Sequence, residues 1–108
     1  MSHVTDIILL TAIDDGWTEE SDNPNADLLS AWLVKNYGPA NTIKPLHQMA
    51  TGGKAMQSNV FGVAVDFCEI PRLINKFNSI RWANPERVQL LVKDEYWESF
   101  RVYNWWGS

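Results

Sequence analysis

Two helical stripes, each set between strand-like segments, constrain this chain more than any other feature. The first is framed by capping chemistry at both ends. Asn23 is an N-cap residue, Pro24 suits the first helical position because its missing N–H costs nothing there, and Gly38-Pro39 stops the helix at Tyr37. Inside that frame Leu28, Leu29, Trp32 and Leu33 recur at one-stripe spacing, and Asp27 lies in the first turn, where a negative charge suits the helix dipole. The second stripe is Ile70, Leu73, Ile74 and Phe77, with Pro71 tolerated only in a first turn.

Strand patterns occupy the rest. Val4 to Ile13 contains the consecutive Ile7, Ile8, Leu9 and Leu10, which suits a central strand covered on both faces. Thr42 to Ala50 reads as extended, and Pro45 within it lacks a ladder donor, which confines it to a sheet edge. Val60 to Phe67 alternates, with Phe61, Val63, Val65 and Phe67 on one face and Gly62 and Ala64 on the other. Val88 to Lys93 and Phe100 to Trp106 form a hairpin across the acidic turn Asp94 to Glu98. This order predicts one α+β domain over residues 1–108: a ferredoxin-like β-α-β-β-α-β sandwich with an additional C-terminal β-strand forming a hairpin.

Charge narrows the function. The formal net charge is −4, yet Asp14, Asp15, Glu19, Glu20, Asp22 and Asp27 stand together with no basic residue among them. A phosphate-backbone binder needs a basic face, and Lys and Arg are scattered here, so direct nucleic-acid binding is not expected. The strand from Val60 lacks the leading basic residue and the second stacking aromatic of an RNA-recognition motif. The longest apolar run, Ile7 to Leu10, is too short to cross a bilayer, and no basic N-terminal region precedes a cleavage site, so a cytoplasmic address and no membrane partner are expected.

Catalytic sets do not assemble. Cys68 has no second cysteine to pair with. If Ala50 opposes Val60, His47 and Cys68 lie five positions apart along the strand, on the order of 16 Å, which is too far for a thiolate–imidazole pair. That register places Asp66 on the other face from His47. The acidic stretch breaks calcium-loop spacing, and two histidines cannot supply a three-histidine zinc set, so no metal or cofactor is expected. Thr51-Gly52-Gly53-Lys54 lacks the spacing of a phosphate loop and reads as a flexible hairpin loop.

Two features remain for partner binding. Asp14, Asp15, Glu19 and Glu20 form an acidic connection able to steer a basic partner. Tyr96, Trp97, Phe100, Tyr103, Trp105 and Trp106 put aromatic side chains on both faces of the last strand, and of these Tyr96, Trp97, Tyr103, Trp105 and Trp106 are the expected interface residues. The expectation is a small interaction module, of inhibitor or immunity type, with a protein partner or a second copy on the sheet face away from the helices. The alternative is a dimeric ferredoxin-like enzyme or ligand binder using His47 or Asp66.

Overall fold

The computed structural model describes residues 2–50 and 52–105. Five antiparallel strands and two helices build an α+β fold: β1 (Val4–Ala12), α1 (Pro24–Tyr37), β2 (Lys44–Pro45), β3 (Ser58–Asp66), α2 (Ile70–Ser79), β4 (Gln89–Asp94) and β5 (Arg101–Asn104). The sheet order is β2-β3-β1-β4-β5. It differs from a four-stranded ferredoxin-like sheet in carrying β5 outside β4.

The helices form where capping dictates. Asn23 Oδ1 accepts from Ala26 N–H at 3.2 Å, and α1 ends before Gly38 at φ +107°. Its buried side is Ala26, Leu29, Ser30 and Leu33. Leu28, expected on that stripe, is 51% exposed, and Trp32 is half-buried. In α2, Leu73 and Phe77 are buried, with Ile70 and Ile74 at the margin.

Both helices cover the same sheet face. Along β1, Thr5, Ile7, Leu9 and Thr11 are buried on that side. Cross-strand pairing continues the row into Val65, Val63 and Phe61 of β3 and into Val92 and Leu90 of β4. Burying one such aliphatic side chain contributes about 1.5–3 kcal/mol, so this layer carries the stability. The opposite face holds Ile8, Leu10, Val60, Leu91 and the exposed Val102, and no helix covers it, against the expectation that β1 is covered on both faces. Leu46 leans onto this face: a Cβ at Gly62 would lie 2.8 Å from Leu46 Cδ1.

Strand boundaries and one register depart from expectation. The edge position of Pro45 holds, but β2 is two residues long and a turn occupies 47–49, so the segment to Ala50 is not one strand. Lys44 opposes Gly62 and Pro45 opposes Phe61, a register four residues away from the one that pairs Ala50 with Val60. At the end of β3, Phe67 takes φ +56°, which turns a ring expected on the helix side out to 59% exposure. Thr51 and Trp106 lie outside the described residues, whereas Gly52, Gly53 and Lys54 are exposed and Gly53 sits at φ +96°.

Candidate functional site

The connection leaving β1 is an ordered loop built on one buried carboxylate. Asp15 was expected on the surface with its acidic neighbours; instead it is fully buried. Its Oδ2 accepts from Asn25 Nδ2 at 3.0 Å and Ala83 N–H at 3.0 Å, and its Oδ1 accepts from Asn84 N–H at 2.8 Å and Asn84 Nδ2 at 3.2 Å. Burial pushes the carboxyl up, but the bonds from Asn25, Ala83 and Asn84 outweigh it and hold Asp15 below its ordinary value of 3.8. One side chain thereby ties the loop to α1 and to the segment entering β4.

The rest of the loop is fixed locally. Trp17 N–H donates to Asp14 C=O at 2.9 Å across a turn with Gly16 at φ +72°, a conformation strained for any other residue. A Cβ there would also press on Asn25 Nδ2 at 3.3 Å. Thr18 and Ser21 exchange backbone bonds at 2.9 and 3.3 Å, and Ser21 Oγ bonds to Asp27. Held in this way, the loop displays Trp17 at 57% exposure and Ile13 at 45%, beside exposed Asp14, Glu19, Glu20 and Asp22.

The C-terminal aromatics do not join this surface as one patch. Tyr96, 73% exposed, packs edge-on against His3 at 5.0 Å, and His3 also pairs with Asp94. That places Tyr96 at the start of β1, whereas the acidic loop leaves its end, about 30 Å away over nine residues. Trp97, Tyr103 and Trp105 are half-buried against the core on the helix side, so they are not positioned to help the open sheet face. Trp105 follows Asn104, which opposes Gln89, itself opposite Leu10, so it lies toward the loop's end of the sheet.

Trp97 and Tyr103 instead wall a groove of about 820 Å³ between α2 and the β4–β5 hairpin. The Arg101 guanidinium lies 3.7 Å over the Trp97 ring, and Cys68, Ile70 and Ile74 line the other wall. Burial pushes the Cys68 thiol up, a bond with Tyr37 draws it down, and the Glu69 charge adds to the rise. A thiol kept protonated is a poor nucleophile. We expect Cys68→Ala to keep the fold, with less than about 1 kcal/mol lost in chemical denaturation. Loss of partner binding with the fold intact would assign the thiol a role.

His47 and Asp66 are held apart. His47 Nδ1 accepts from Val60 N–H at 3.0 Å, and its ring meets Phe61 edge-on at 5.5 Å. Asp66 accepts from His3 N–H at 2.8 Å, six residues along β3 and so about 20 Å from Val60. Cys68 is farther still. No group of three His, Cys, Asp or Glu side chains among the described residues is arranged to hold a metal, and no helix is long and apolar enough to cross a membrane.

Two residues of interest were not singled out from the sequence. Trp17 stands in the acidic stretch with no periodic partner, which was a readable signal of an exposed aromatic. A strand that starts at Val60 leaves out Asn59, which belongs to β3 and is 5% exposed. Comparison with family models, with curated proteins and with solved structures returned no match, so residues and geometry carry the functional reading.

Proposed function

We propose that this chain is a small protein-interaction module, of inhibitor or immunity type, that presents its acidic loop to a basic surface of another protein. One observation carries the reading: Trp17 is exposed on a loop that the buried Asp15 carboxylate anchors with four hydrogen bonds. A fixed aromatic loses little freedom on binding, and tryptophan is the residue most enriched at energetic centres of interfaces. The surrounding carboxylates of Asp14, Glu19, Glu20 and Asp22 supply the field that steers a basic partner. Tyr96 falls outside this surface, Trp97 and Tyr103 are assigned to the groove, and Trp105 is half-buried against the core.

The ferredoxin-like arrangement is the frame we propose for the first six elements. Support comes from β1 at the centre beside β3 and β4, β2 on the edge, and both helices on one face, with β5 as an added edge strand.

The test is recovery of partners from the native cell with the wild type and with Trp17→Ala in parallel. A stoichiometric protein that wild type retains, that high salt releases and that Trp17→Ala loses supports the reading. A partner retained equally by both contradicts it. A bound metabolite and no protein points instead to a ligand binder using the 820 Å³ groove.

For the open sheet face the proposed occupant is a second copy. Asp6 lies opposite Lys93 and Lys44 opposite Gly62 on that face, so both charge signs flank the apolar Ile8, Leu10, Val60 and Leu91, as a self-complementary two-fold contact requires. Light scattering should report a dimer for the wild type and a monomer for Leu10→Glu, with loop-dependent partner binding kept. A wild-type monomer at high micromolar concentration would remove the dimer.

A further inference from the structure

The groove of about 820 Å³ between α2 and the β4–β5 hairpin has walls of two kinds. Ile70 and Ile74 stand one helical turn apart and so face it together from α2. Arg101 and Tyr103, two residues apart on β5 and opposite Val92 and Leu90, share one side of the strand and face it from the sheet. Trp97 joins that second wall from the hairpin turn, where its N–H donates to Asp94 C=O at 2.9 Å.

Charge selects the sign of the ligand. Glu69, Arg72 and Arg101 line the groove. Glu69 and Arg72 pair at 3.5 Å, and Arg72 also donates to Asn36 Oδ1 at 3.2 Å, so the net charge facing the groove is that of Arg101. Its guanidinium carbon lies 3.7 Å over the Trp97 ring. Stacking of this kind holds a guanidinium in one plane with N–H donors directed outward, the fork that takes a carboxylate or a phosphate through two bonds. A single positive charge balances a carboxylate better than a phosphate monoester, which carries about −1.5 to −2 near neutral pH.

Shape selects the body. Ile70 to Ile74 spans about 6 Å along α2, and Arg101 to Tyr103 about 7 Å along β5. A groove of 820 Å³ between apolar walls that short is wide rather than long, which suits a flat ring better than an extended acyl chain. The Tyr103 and Trp97 rings add offset or edge-on contacts for such a ring, and the volume falls within the range of small-molecule sites.

We propose that this groove binds an aromatic monocarboxylic acid, with the carboxylate on the Arg101 fork and the ring between Ile70, Ile74 and Tyr103. None of the lining residues belongs to the acidic loop, so ligand binding here is a second function, independent of the partner contact at Trp17.

The experiment is NMR titration of the whole chain with 2-naphthoate, 2-naphthamide, 2-naphthyl phosphate and octanoate, read at the Trp97 indole N–H and the Arg101 Nε–H. Naphthoate should shift both groups with a Kd of about 0.1–1 mM, in keeping with a ligand of this size. The amide keeps the shape without the charge and should bind about tenfold more weakly. The phosphate and octanoate should each bind about threefold more weakly than naphthoate. Arg101→Gln alters an exposed side chain and leaves the core intact; it should weaken naphthoate about tenfold and leave the amide unchanged. Arg101→Lys restores the charge but not the fork and should remain about threefold weaker than wild type. Silence at Trp97 and Arg101, amide binding equal to naphthoate, naphthoate binding unaffected by Arg101→Gln, or the phosphate or octanoate binding tightest would each overturn the proposal. Naphthoate affinity that falls as protein concentration rises would place a second copy in the groove and overturn it as well.

Discussion

Asp15→Ala is expected to cost about 3 kcal/mol or more of folding stability, a large share of the roughly 5–15 kcal/mol typical of a domain. The substitution strands the backbone N–H groups of Ala83 and Asn84, both now bonded to the carboxylate at 3.0 and 2.8 Å, and removes the partner of the Asn25 amide. For a chain of this size that is a fall in melting temperature of about 12 °C or more. Asp15→Asn keeps the volume but offers an NH2 where acceptors are needed, so it should lose about half as much. The pH dependence follows from the lowered pKa. A carboxylate depressed by folding contributes stability that is fully present above the unfolded value, near 3.8, and is lost as pH falls through the lower folded value. Wild type should therefore show an acid-side loss below about pH 4 that Asp15→Asn shows less of. Equal stability of Asp15→Ala and wild type in urea would remove Asp15 as the anchor of the loop.

The second large effect is on partner binding. Trp17→Ala should raise the dissociation rate by about 30-fold or more, the loss usual for a central aromatic anchor worth at least 2 kcal/mol. Neutralising its rim with Asp14→Asn, Glu19→Gln, Glu20→Gln and Asp22→Asn together should act on a different rate. It should slow association about tenfold at low salt and remove most of the salt dependence, because these carboxylates are exposed and act through the long-range field. Stopped-flow or surface-based kinetics with the recovered partner separates the two. An unchanged association rate in the fourfold variant would end the steering account, and an unchanged dissociation rate in Trp17→Ala would end the anchor.

What the sequence made legible is what local chemistry decides. The bounds of α1 follow from Asn23, Pro24 and Gly38, whose effects reach one turn, and they match the structure residue for residue. The edge position of the second strand follows from the missing N–H of Pro45. Other features depend on contacts far along the chain. Asp15 looks like its five acidic neighbours until Ala83 and Asn84, 68 and 69 residues away, are brought against it. Leu28 sits on the predicted apolar stripe, yet it is Ala26 and Ser30 that face the core, because where the helix meets the sheet is set by packing rather than by periodicity. The two-residue length of β2 hid both the true register and Asn59, since a strand counted to Ala50 pushes the start of β3 too late.

The partner is expected to sit on the acidic loop. Hydrogen–deuterium exchange of the complex against the free chain tests it most directly, because it locates the contact without altering a residue. Protection is expected to concentrate in residues 13–23, with little change elsewhere on the surface. Protection confined to the groove between α2 and the β4–β5 hairpin, or to the open face of the sheet, would contradict it.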